Sequence, residues 1–120
     1  MKFREFITSS GKKVLCGKDA KNNEELIEQV EDWETVLHTA KPGSPFMNIK
    51  SKKPGKTDIK EAAIFCASKS QDWRDNKDDV EVHYFLGREI YKKKEMKIGT
   101  FGVKNFKSIK VKKIEILGKK

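Results

Sequence analysis

Hydrophobic positions fall into short runs whose period changes along the chain. Lys2 to Ile7 carries Phe3, Phe6 and Ile7 and predicts a strand. Ser9-Ser10-Gly11-Lys12 is a turn, and Val14-Leu15-Cys16 predicts the returning strand, so the chain opens with a hairpin that Gly17 ends. Asp19 then suits a helix N-cap, because its carboxylate can accept an amide hydrogen left free in the first turn. Leu26, Ile27 and Val30 follow at helical spacing as far as about Glu31. Thr35 to Thr39 is β-favouring. Lys41-Pro42-Gly43-Ser44-Pro45 must be a turn, and Phe46 to Ile49 predicts another strand. Ser51 to Lys56 is a basic loop.

A longer helix is predicted from about Asp58 to Arg74. Thr57 or Asp58 caps it, and Asp58 with Glu61 fits a capping box. Ile59, Ala62, Ala63, Cys66, Ser70 and Trp73 form one stripe, small enough in places for a sheet to approach closely. Beyond Asn76 the period becomes two: Val80, Val82 and Tyr84 alternate with Glu81 and His83. Phe101 and Val103 lead into Lys104-Asn105, read as a hairpin turn, with Phe106 to Ile116 returning. Ile109 and Val111 alternate there until Lys112-Lys113 breaks the phase, and a β-bulge at the lysine pair would restore it. The expected class is α+β, a single mostly antiparallel sheet with two helices packed against it.

At 120 residues the chain has the length of one domain, expected to span 1–120 with 117–120 as a disordered basic tail. Hydrophobic residues make up 36% and charged residues 38%, so the core is small and the surface heavily ionised. No window approaches the roughly 18 apolar residues of a membrane span, and the charged amino terminus does not read as a signal peptide. A soluble, cytoplasmic protein that meets no membrane is expected. Cys16 and Cys66 sit among apolar neighbours and read as small buried hydrophobes. With His38 and His83 they lack finger-like spacing, so no metal is expected.

Charge changes the picture more. Residues 1–85 hold 15 basic and 15 acidic side chains, whereas residues 86–120 hold 12 basic against three acidic. The whole net charge of +9 thus belongs to the last third, a one-signed field that attracts polyanions. Arg88, Lys92, Lys93, Lys94 and Lys97 form its densest cluster, suited to phosphate contacts that give affinity without base readout. Gly17-Lys18-Asp19 joins a strand to a helix start, where Lys18 and the helix dipole favour an anion; a strand end and a plain cap explain it equally well. His38, alone before the Pro-Gly turn, is more often structural than functional. Phe101 and Phe106 lack the fixed spacing of RNA-recognition sheets, and both rings are expected in the core. Asp78-Asp79 reads as a solvated turn. With no nucleophilic, hydrolytic or phosphate-loop constellation, the chain is expected to be no enzyme and to need no cofactor.

Gly17-Lys18-Asp19-Ala20-Lys21-Asn22-Asn23-Glu24 resembles the Gly-Arg-Asn/Asp-x-x-x-Asn-Asp/Glu signature of NFACT-R domains, the RNA-binding module of the NFACT proteins of ribosome-associated quality control. In order follow His38 with Pro42-Gly43-Ser44, Glu61-Ala62-Ala63, Ser68-Lys69, Val82-x-Tyr84, Arg88-x-Ile90 and a lysine-rich stretch ending at Gly99. Val36 stands where the family usually has Trp, Pro45 where it commonly has His, and the segment from Lys92 to Gly99 has lost two prolines and one glycine. The resemblance implies a stand-alone module without the tailing activity of full-length members. It implies RNA as partner, tRNA or ribosomal RNA of the large subunit, with a separately encoded NFACT-type protein as a further partner. Lys18, Asn23, His38, Ser44 and Lys69, matched to family positions, would form a polar groove beside the phosphate-binding lysines. The rival readings are a protein-interaction module docking on a ribosome-associated partner and a general DNA binder.

Overall fold

A computed structural model describes residues 2–118. Strands β1 (Arg4–Ile7) and β2 (Lys13–Cys16) form the opening hairpin, followed by α1 (Ala20–Glu28), β3 (Thr35–Thr39) and β4 (Met47–Ile49). Then come α2 (Lys56–Ser68), α3 (Gln71–Asn76), β5 (Val80–Leu86), β6 (Ile90–Tyr91), β7 (Gly102–Val103), β8 (Lys107–Val111) and α4 (Lys113–Leu117). Six strands make one antiparallel sheet in the order β1-β2-β4-β3-β5-β8, while β6 and β7 pair by themselves. The class is α+β.

Strand alternation divides the core between the two faces of the sheet. On one, Val14, Cys16, Leu37, Met47, Ile49, Val80, Val82 and Val111 meet Ala62, Ala63, Cys66 and Ala67 of α2, Trp73 of α3 and Ile116 of α4. The three alanines bring the α2 backbone close to the sheet. On the other, Leu15, Val36, Phe46 and Phe85 meet Leu26 of α1, with Phe101, just before β7, and Val103 of β7 packed against them. Both faces are therefore covered, by more helices than the two expected.

The long helix expected from Asp58 to Arg74 is two helices. The Ser70 hydroxyl donates to the Ala67 carbonyl (2.7 Å) and accepts from the Trp73 amide (3.1 Å), so one side chain serves the end of α2 and the start of α3. The α2 cap is Gly55 rather than Thr57 or Asp58. Asp58 lies in the first turn and accepts from the Gly55 amide (2.8 Å), while Glu61 reaches away to the amide of Ser9 (2.8 Å).

The last third departs furthest from expectation. Val103 does not enter a hairpin with β8, because β7 pairs with β6. Gly102 has no Cβ, and the Tyr91 ring lies where one would stand. Strand β8 pairs instead with β5, setting Val111 opposite Val80 and Ile109 opposite Val82 so that the two inward sets match. The phase break at Lys112-Lys113 is no bulge: it starts α4, with the Glu115 carboxylate accepting from the Lys112 amide (2.8 Å) and from Lys60 (2.8 Å). One helical turn brings Ile116 into the core. Of the expected tail, Leu117 ends α4 and Gly118 caps it, and Lys119 and Lys120 lie outside the described residues. Among the described residues no helix is long and apolar enough to cross a membrane.

Candidate nucleic-acid interface

The residues of the β2–α1 junction act on one another. Asp19 caps α1 by accepting from the Asn22 amide (2.8 Å), and the Asn22 side chain accepts in turn from the Lys18 amide (3.0 Å). A Cβ on Gly17 would overlap the carboxamide oxygen of buried Asn23. That oxygen accepts from the Phe46 amide (3.2 Å), and the Gly17 amide donates to the Phe46 carbonyl (3.1 Å). Asn23 thus ties α1 to the start of β4, and Lys18 is left exposed at the bend.

The loop from β3 to β4 is closed from within. Ser44 Oγ accepts from the Thr39 amide (3.1 Å) and donates to the Pro45 carbonyl (3.3 Å), so Ser44 shapes the loop. Gly43, in the left-handed region (φ +95°), accepts from the Gln71 amide at 2.7 Å and docks the loop on α3. His38 faces its cross-strand neighbour His83. Its Nδ1 lies 2.8 Å from the Thr39 carbonyl, which can only accept, so this nitrogen carries the hydrogen. Burial pushes the His38 imidazole below its usual range, against the pull of the Thr39 carbonyl, and the ring is neutral at pH 7. It lies against Phe46 (ring centroids 4.3 Å apart), which meets Phe101 edge-on at 5.4 Å.

The bend at Ser70 brings Lys69 and Arg74 to the same side. The Arg74 guanidinium donates to the Lys69 carbonyl (3.1 Å) and to Gln71 Oε1 (3.0 Å), both uncharged, and Lys69 lies over the Phe65 ring at 5.5 Å. Arg4 enters from β1, opposite Cys16. Burial pushes the Cys16 thiol up to about 11 despite the nearby Arg4 guanidinium, so it remains a neutral thiol. Cys66, also buried and unpaired, is pushed up to about 12 by burial. Among the described residues no His, Cys, Asp and Glu cluster could hold a metal ion.

These parts surround one cleft of about 940 Å³. Lys18, Asn23, His38, Ser44 and Lys69 all line it, joined by Arg4, Arg74, His83, Phe101 and Phe106, which sequence reasoning did not select. Four of the lining residues are cations and one, Asp19, is an acid already turned onto the α1 amides. None of the four cations has an ion-pair partner among the described residues. Unpaired positive charge over an aromatic floor is the chemistry of a polyanion site with rings beside it. Arg74 was hidden because only the α2–α3 bend turns it there.

The lysine cluster is placed differently. Arg88, Lys92, Lys93, Lys94 and Lys97 do not line the cleft, although Ile98, Gly99 and Thr100 of the same loop do. The Lys92 ammonium donates to the Glu24 carboxylate and to the Lys97 and Thr100 carbonyls (2.6 and 2.7 Å), with Phe101 beneath it at 4.5 Å. Glu24 also accepts from the Gly99 amide (2.7 Å). Partial burial pushes its carboxyl up, and the bonds from Lys92 and Gly99 outweigh that to hold it below the usual range. Lys92 is thus the strut that fixes the β6–β7 loop against α1. Lys93, Lys94 and Lys97 are exposed without ion-pair partners among the described residues. Lys92→Gln should speed amide exchange over residues 97–100 while moving the salt dependence of RNA binding less than Lys94→Gln. The reverse order would make Lys92 a phosphate ligand.

The family model of the NFACT protein RNA binding domain matches residues 2–105. Comparison with curated proteins gives no match. Among solved structures, the fold is similar to the C-terminal part of the fibronectin/fibrinogen-binding protein from Streptococcus suis, with a TM-score of 0.84 over 93% of this chain. The identity is 20% and the chain spans 45% of that structure, so this likeness is one of fold. The family match takes in seven of the eight strands, three of the four α-helices and the cleft lining except Phe106, and the chain belongs to the NFACT protein RNA binding domain family.

Proposed function

We propose that the chain is a non-enzymatic RNA-binding module, that its RNA is tRNA or ribosomal RNA, and that it works in the cytoplasm in translation or ribosome quality control. The observation that carries this reading is the cleft whose four cations have no acidic partner among the described residues. Lys18, Lys69, Arg74 and Arg4 would contact phosphates from its rim, with Lys93, Lys94, Lys97 and Arg88 adding longer-range attraction. Asn23, His38 and Ser44 act by holding the α1 start and the β3–β4 loop in shape. The large ribosomal subunit and a separately encoded NFACT-type protein are the partners this reading suggests.

Labelled tRNA titrated across a salt series, with DNA of equal length as competitor, tests it. Salt-sensitive binding that prefers RNA is expected. Equal loss to DNA would reduce the cleft to a general polyanion site, and no binding would end the reading.

A further inference from the structure

We infer that the cleft takes an unpaired nucleotide whose base stacks on Phe106, so that its ligand is single-stranded or looped-out RNA and not a continuous duplex. This rests on the RNA-binding reading and narrows it. Phe106 directly precedes β8 and falls just past the residues matched by the family model. Expected in the core, it is instead 50% exposed and lines the cleft.

One face of its ring is already in use. Phe106 stacks on the His83 imidazole with centroids 3.9 Å apart and planes inclined by 20°. His83 is itself held, its Nε2 meeting Glu81 at 3.2 Å while the same carboxylate oxygen accepts from Ser108 at 3.0 Å. The ring thus has a fixed backing, and what remains exposed is its other face and edge. Other aromatics of the lining are committed elsewhere: Phe46 and Phe85 are buried and Phe101 packs edge-on to Phe46. A half-exposed, pre-positioned aromatic ring beside unpaired cations is what a base plane needs on one side and a phosphate on the other. Duplex bases cannot use it, because both their faces are stacked on neighbours and an A-form helix presents phosphates and a shallow minor groove.

Anisotropy titration of a labelled single-stranded RNA and of its duplex, with the wild type, Phe106→Ala, Phe106→Tyr and Lys18→Gln/Lys69→Gln, tests the inference. Phe106→Ala should weaken single-strand binding by roughly 5- to 100-fold without changing its salt slope, and Phe106→Tyr should restore it. Duplex binding should be weaker and indifferent to Phe106. The Lys18→Gln/Lys69→Gln variant should instead flatten the salt slope for whichever RNA binds. Unchanged single-strand affinity in Phe106→Ala, at an unchanged melting temperature, overturns the stacking site, as does duplex binding that matches the single strand. Neither result touches the RNA-binding reading, which fails if both RNAs bind without salt dependence or not at all, or if DNA of equal length competes equally.

Discussion

Changing Lys18, Lys69 and Arg74 together to glutamine is expected to flatten the plot of log affinity against log salt by about 2–3 units. Each neutralised phosphate contributes about 0.7–0.9 to that slope, according to whether the RNA is single-stranded or duplex. At about 0.1 M salt the loss corresponds to on the order of a hundredfold in affinity. The fold should tolerate the change, since all three side chains are exposed and none makes an ion pair among the described residues. A parallel triple change of Lys93, Lys94 and Lys97 separates the cleft from the outer loop. If that variant flattens the slope and the cleft variant does not, RNA runs over the loop and the proposed site is wrong.

Asp58→Ala is expected to be the most damaging single polar substitution for stability. The carboxylate is 3% exposed and joins the β1–β2 turn to the start of α2. It accepts from Thr8 Oγ1 (2.7 Å), Ser10 Oγ (2.6 Å) and the Gly55 amide (2.8 Å), with Lys12 at 3.9 Å. Bonds to a charged acceptor contribute about 1.5–3 kcal/mol each and do not add fully, so the loss should be about 3–5 kcal/mol. In a chain of this size that is roughly 10–20 °C in melting temperature.

The same bonds, those from Ser10 and Gly55 first, hold the Asp58 carboxyl down at about 2, against an ordinary 3.8. The folded pKa lies below the unfolded one, so the contribution is complete above about pH 4 and is lost as pH falls towards 2. Wild type and Asp58→Ala should therefore differ most at neutral pH and converge on acidification. Equal melting temperatures at pH 7 would show that the turn and α2 are held by apolar packing alone. Glu24, Glu81 and Glu115 are also held below their usual range, so all four carboxyls favour loss of stability in acid.

Legibility followed the range of the interaction. The opening hairpin, the Asp19 cap and the five residues from Lys18 to Lys69 that came to line one cleft could be read from local pattern and family signature. Ser70 could not: a serine inside an amphipathic stripe looks like a tolerated small residue until its hydroxyl is seen serving two helix ends. The density of lysines after Arg88 did not reveal which of them are free: none lines the cleft, and Lys92 is tied down. Charge counted along the chain does not show that Lys92 spends all its hydrogens on Glu24 and two carbonyls. Phe106 was misplaced for a related reason. Without the fixed aromatic spacing of an RNA-recognition sheet it was expected in the core, but it is out of phase with the inward Ile109 and Val111 and lies beside His83 on the other face.

What the sequence by itself determined was the set of local commitments: where helices can start, which strands alternate, and that the surplus charge must face solvent. These depend on neighbours within a few positions, where backbone sterics, capping and side-chain period decide. Only the tertiary structure decided which strands pair, where α2 ends and α3 turns away, and which cations are left without partners among the described residues. Those outcomes depend on contacts between residues dozens of positions apart, such as Lys92 with Glu24 or Asp58 with Thr8, and their energies exist only once the chain has closed.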